Sequence, residues 1–214
     1  MSSDNNLSER AKKQMPMVLL TLLSIIQALA LELLWSHITS NPSLLEYTWI
    51  ALMSGVQILV TLMGIILIWL LYSSLTMRFS WVPSPGDSVI PFGIGILEFT
   101  LIALLGPDYL GLWFGVLAIL FGLSTWAIQI IMRRARKDGY NAAFFAKVAP
   151  ATLRDFYPVL AIVGFLSLTG LALGITAHQG AFAMLALLVA GGALANQIRL
   201  NTFRWRRAME PPTT

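Results

Sequence analysis

The sequence predicts an all-α integral membrane protein of six transmembrane helices, with both termini cytoplasmic and short outer loops. Three observations predict it. The 214 residues are 57% hydrophobic and only 11% charged, with a mean hydropathy of +0.75. A soluble domain of this length cannot hide so much apolar surface, so lipid serves as part of its solvent. The apolar residues also fall into six runs of about 20, the length that crosses a hydrocarbon core roughly 30 Å thick. Finally, the 14 Lys and Arg all lie on alternate connections.

The first 15 residues are polar, mixed in charge, and read as a cytoplasmic segment. The run at 16–38, "PMVLLTLLSIIQALALELLWSHI", is too long for a signal-peptide core and carries Glu32, so it reads as a retained first span. "SNPS" turns the chain into a second span at 47–75, and "VPSPGDS" leads into a third at 88–105. "GPD" is so short that the fourth span, 109–132, must run antiparallel beside the third. Ser88 and Asp108 stand where N-caps belong, which puts Pro91 in a first helical turn, where its missing N–H costs little. A polar connection follows at 133–157. Within it Asn141 is expected to cap a short interfacial helix through Val148, with Phe144, Phe145 and Val148 on one side and Lys147 on another. The fifth span, 158–177, and the sixth, 180–200, are joined by "HQG". The membrane domain is therefore 16–200, and the tail 201–214 carries the last helix out into the cytoplasm.

Orientation follows from the basic residues. With the N-terminus inside, Arg10, Lys12, Lys13, Arg78, the cluster from Arg133 to Arg154, and Arg199 to Arg207 are all cytoplasmic. The outer loops keep only Glu46, Asp108, His37 and His178. The net charge of +4 is thus a topology signal and a contact with anionic lipid, not a nucleic-acid footprint. Short loops suit a bacterial inner membrane. With no cysteine, disulfides, thiolate metal sites and cysteine nucleophiles are excluded.

Small residues on one helical face let another backbone approach closely, and in lipid such packing drives association. Span four carries such a stripe in Gly111, Gly115, Ala118, Gly122 and Thr125, continued by Gln129. Span six offers Ala183, Ala186, Ala190 and Ala193. Six short helices barely enclose a pathway, so a homo-oligomer is expected, a dimer packed through one of these two faces.

Two carboxyls lie within the spans. Glu98 is about ten residues into the short third span, near the midplane, on a face with Pro91, Gly95 and Ile102. Glu32 lies roughly 22 Å from the inner edge at 1.5 Å per residue, in the outer leaflet. A charge at a helix centre costs about 2.5–3.5 kcal/mol on insertion scales, and no Lys or Arg lies deep in any span to answer it. Both are expected to be uncharged acids unless a cation, water or hydrogen-bond cluster reaches them. Gln27, Gln57, Gln129, Asn196 and Gln197 supply amides able to relay or coordinate. His37 and His178, with Glu46 and Asp108, are the outer-face candidates for pH sensing or a metal. Their spacing carries no HxxxH or HExxH, so no metal site and no cofactor is predicted.

The chain has no G-x-S-x-G, no P-loop lysine and no intramembrane lysine for a Schiff base. That argues against an enzyme. The leading expectation is a small channel or secondary transporter for a proton, inorganic cation or small solute, with Glu98 as the central protonatable site and Glu32 the outer one. The alternative is a non-catalytic anchor or assembly subunit that binds a membrane or cytoplasmic partner through the 133–157 loop and the tail. A lipid-handling membrane enzyme is the third reading.

Overall fold

A computed structural model describes residues 2–176 and 180–209, with side chains for 9–176 and 180–206. Among the described residues the protein is all-helical, and six helices are long and apolar enough to cross a membrane. They are α1 (Ser2–Ser40), α2 (Trp49–Arg78), α3 (Pro85–Ala103), α4 (Leu110–Ala135), α6 (Leu153–Thr176) and α7 (Ala181–Met209). A seventh, α5 (Ala142–Phe145), is a single turn in the connection between α4 and α6.

Apolar runs set the middle of each helix, but local polar chemistry sets where it starts. The helix expected from residue 16 begins at Ser2 and passes through Pro16 without ending, so the polar N-terminal segment extends α1. Thr48 caps α2 by accepting the Ala51 N–H at 3.1 Å. Helix α3 starts a turn earlier than expected, and Ser88 is not its cap. Pro85 takes the first position, and the Asp87 carboxylate reaches back to accept the Ser84 N–H at 2.9 Å. Pro91 consequently lies inside the helix and is buried. Asp108 is not a cap either. It sits in a 3₁₀ turn, Pro107–Tyr109, entered from Gly106 at φ +125°, a backbone conformation that favours glycine.

Helix α4 packs most closely on α6, α2 on α7, and α1 on both α3 and α2, while α3 also meets α4. Helices α6 and α7 touch each other only sparingly. The α4–α6 seam is glycine against glycine. A methyl on Gly111 would lie 2.7 Å from the Gly174 nitrogen and 2.9 Å from the Gly170 oxygen. One on Gly170 would lie 2.8 Å from the Gly111 oxygen. The Gly111 end of the small face of α4 is therefore occupied by a helix of the same chain. On α7, Ala183, Ala186 and Ala190 are buried, and Gly191 faces Val60 of α2.

Contacts gather the start of α1, the ends of α2, α4 and α7, and the start of α3 at one basic end. Lys12 lies 2.9 Å from Asp138 and 3.1 Å from Glu9. Arg134 meets Asp87 at 2.6 Å and also donates to the Ser84 hydroxyl. Ser74 and Asn201 tie α2 to α7. The connection after α4 folds against this end. Asn141 does not cap its helix; its side chain accepts from Ser80 N–H and donates to the Ser80 and Ala135 carbonyls. Asp138 caps the 3₁₀ turn Gly139–Asn141 that precedes α5, accepting the Tyr140 N–H at 3.1 Å. Phe145 is buried, and both it and Phe144 pack on Phe79, with ring centroids 5.7 and 5.0 Å away.

Candidate functional site

The buried ridge of α1 runs Leu19, Leu23, Ile26, Ala30 and Leu34, at helical spacings of three and four. Gln27 stands on its edge, itself buried. The facing ridge of α3 carries Pro91, Ile94, Gly95, Glu98, Leu101 and Ile102, all buried. Gly95 admits Ile26 so closely that a methyl there would meet its Cγ2 at 2.6 Å. This notch sets the depth at which the next residue of α1 meets the next turn of α3. Gln27 Nε2 lies 3.0 and 2.9 Å from the two carboxyl oxygens of Glu98 and donates to both.

Glu98 is 0% exposed. Its hydrogen-bond partner among the described residues is that one amide, and no Lys, Arg or His pairs with it. On the amide itself, Gln27 Oε1 is buried without a partner. The main cavities of the bundle are lined by other residues. The site is thus a sealed acid–amide pair between two helices, with one acceptor unused.

Of the five amides named as possible neighbours, the structure brings only Gln27 to Glu98. Gln57 is 1% exposed and holds the turn between α3 and α4, accepting the Gly106 N–H at 3.0 Å and donating to the Leu104 carbonyl. Gln129 is half-buried along α4, Gln197 lines a cavity between α2, α4 and α7, and Asn196 is exposed. Glu32 is exposed with Ala28, Leu29, Trp35 and Ser36 on the outer side of α1. Five residues beyond Gln27, it is turned about 140° away around the helix, so the two glutamates do not share a site.

His37 is half-buried in the last turn of α1, and its carbonyl accepts from Asn41. Glu46 and Asp108 are exposed, and His178 lies outside the described residues. Among the described residues, no three His, Asp or Glu side chains converge as a metal site would need. In the small-residue stripe, Gly111 makes the backbone contact with α6, Ala118 is buried, and Gly115, Gly122 and Thr125 are partly covered.

Two polar clusters at the basic end were not expected as units. One joins Asp87 to Arg134, Ser84 and Trp81, whose indole donates to Asp87 at 3.1 Å. The other joins Lys12, Glu9 and Asp138. The sequence signal was the proline-serine-proline-glycine-aspartate run for the first. The second joins residues more than a hundred positions apart and left no local signal. Comparison of the chain with family models, with curated proteins and with solved structures finds no match in any of the three.

Proposed function

We propose that the protein is a small secondary transporter that moves a proton with, or against, an inorganic cation or small solute, with Glu98 as its protonatable group and Gln27 as the partner that follows its charge. The basic end faces the cytoplasm in this reading, in a bacterial inner membrane, because the 14 Lys and Arg cluster on that side. The observation that carries it is the chemistry of the pair. An amide presents a donor and an acceptor on one rotatable group. As described, Nε2 donates to both oxygens, which serves a carboxylate. A half-turn of the amide offers the unused Oε1 to a carboxylic acid, which then donates its own proton. One pair thus serves both protonation states.

A charged Glu98 has no cation to answer it where it lies. Ionising it requires a cation or water to enter, and that requires α1 and α3 to part. Loss of the proton is thereby linked to opening of the interface, which is the requirement of a carrier. A sealed interface supports a carrier over an open channel. Glu32, on the lipid-facing side of α1, has no part in this reading.

The test is flux in liposomes. An imposed pH gradient is expected to drive uptake of the coupled ion or solute in the wild type. Glu98→Gln, which keeps the hydrogen bonding but cannot ionise, is expected to abolish the pH dependence. Glu32→Gln is expected to leave it intact. Unchanged pH-driven flux in a folded Glu98→Gln protein rejects the mechanism.

A further inference from the structure

Because α6 leans on α4 and α7 on α2, the wedge between α6 and α7 stays open on its outer side. A cavity of about 240 Å³ fills the wedge, walled by apolar side chains such as Leu117, Phe121, Phe165 and Val189. Phe165 and Val189 are also exposed on the outside of the bundle, so the cavity opens laterally. A second cavity of about 220 Å³ shares Leu117, Phe121 and Leu194 with the first and runs on toward the basic end. Adjoining along these three side chains, the two make a cleft in two halves. It has ample room for a chain of methylenes, given that a cavity of about 150 Å³ holds a benzene ring.

The second half of the cleft is not purely apolar. Ser124 is 8% exposed and its hydroxyl has no hydrogen-bond partner. Gln197 lies beside it, and Arg204 closes the basic end. Arg204 is near enough to Arg78 for the two charges to act on each other. Neither is paired with a carboxylate among the described residues. Arg78 instead lies over the rings of Phe79 and Phe144, at 5.4 and 5.7 Å. An apolar slot, an unused hydroxyl part-way along it, Arg204 at its end and Arg78 beyond Arg204 in a neighbouring cavity describe one amphipathic shape.

We propose that the cleft between α2, α4, α6 and α7 is a binding site for one anionic phospholipid, with an acyl chain in the slot, an ester oxygen near the Ser124 hydroxyl and the phosphate on Arg204 and Arg78. The site is independent of the carrier mechanism at Glu98 and requires only that the bundle sits in a bilayer. An anionic headgroup reaches the arginines from the leaflet at the basic end, while the lateral opening lets the chain enter without crossing polar surface.

Native mass spectrometry of the protein in mild non-ionic detergent tests it, with added dioleoyl phosphatidylglycerol or dioleoyl phosphatidylcholine. The wild type is expected to retain one phosphatidylglycerol in preference to phosphatidylcholine by roughly thirtyfold, about fivefold for each arginine. Arg204→Gln with Arg78→Gln is expected to bring the two lipids to parity. Arg199→Gln, exposed near the same end but outside both cavities, is expected to change nothing. Ala193→Phe, which fills the apolar half, is expected to displace both lipids, and Ser124→Ala provides a milder variant with a smaller loss should the phenylalanine disturb folding. Equal retention of the two lipids by the wild type overturns the proposal. So does a preference unmoved by the arginine changes, or lowered as much by Arg199→Gln. Displacement of phosphatidylglycerol by millimolar inorganic phosphate would make this a simple anion site and overturn it too. A lipid-free dimer broken by Ala193→Phe would assign the cleft to a second copy instead.

Discussion

Adding one methyl group at two glycines of the same helix is expected to change stability with opposite signs. At Gly111 the new carbon would lie 2.7 Å from the Gly174 nitrogen and 2.9 Å from both the Gly174 Cα and the Gly170 oxygen. All three are backbone atoms, which cannot rotate away as a side chain can. Ordinary carbon contacts begin near 3.5 Å, so α4 and α6 must part by about 1 Å at that level. Overpacking of this kind costs about 1–3 kcal/mol, and a rigid obstruction puts Gly111→Ala in the upper part of that range. At Gly122 the methyl would meet nothing within 4 Å. There the replacement relieves glycine's helix penalty, so Gly122→Ala is neutral or stabilising by up to about 1 kcal/mol. Equilibrium unfolding in mixed micelles, followed by far-UV circular dichroism, measures both. A cost of about 2 kcal/mol lowers the folded-to-unfolded ratio roughly thirtyfold. The pair Gly111→Ala with Gly170→Ala is expected to cost less than the two single changes together, since once the helices have parted the second methyl finds space. Equal effects at Gly111 and Gly122, or strict additivity at Gly111 and Gly170, would refute the close approach of α4 and α6.

Other expectations concern the polar contacts. Gln27→Leu removes the hydrogen-bond partner of a buried carboxyl and is expected to cost about 1–3 kcal/mol, most of it recovered when Glu98→Leu is added; an equal cost in both backgrounds would count against the pair. Asp138 is pushed up by burial but pulled down further by hydrogen bonds from Lys12 and the Tyr140 N–H, so its carboxyl titrates below the ordinary 3.8. Its contribution to docking the start of α1 is therefore fully present above that value and lost as pH falls through the lower folded one. The difference in thermal midpoint between wild type and Asp138→Asn is expected to hold constant above about pH 5 and to vanish at strongly acid pH, and a difference that grows on acidification would reverse the assignment. Single cysteines placed at Glu46 and at Lys147, both exposed, are expected to label from opposite sides of a sealed vesicle; labelling from one side would exclude the six-span arrangement.

The six long apolar helices were legible in the sequence because each is a long apolar run, and nothing but lipid or a large core accommodates six of them in so short a chain. Their ends were not, because ends are decided by a few polar atoms. Ser88 looked like the cap of α3, yet Ser84, Pro85 and Asp87 together satisfy the first turn better than one serine can. Asn141 looked like a cap for the same reason, but its amide is spent on Ser80 and Ala135 across the connection. Such a use depends on which loops meet, and tertiary contact is what a single sequence conceals. The stripe on α4 is visible as a pattern, but which residues of α6 it meets is not. Only the pairing of α4 with α6 reveals that Gly111 and Gly170 share one point of contact.

The two glutamates within long apolar helices separate what sequence can and cannot carry. Hydropathy treats Glu32 and Glu98 alike, since each interrupts an apolar run. Their neighbours one helical turn away differ. Around Glu32 stand Ala28, Leu29, Trp35 and Ser36, all turned outward, with no glycine to bring a second helix near. Around Glu98 stand Gly95, Leu101 and Ile102, and Gly95 is the notch that takes the Ile26 side chain of α1. A carboxyl one turn from that notch is set beside α1, within reach of its side chains. The choice of Gln27 among the amides then rests on Ile26, which enters the Gly95 notch and presents its neighbour to Glu98. The pair is therefore built by packing first and hydrogen bonding second. For that reason Gly95→Ala, which touches neither polar group, is expected to disturb them both.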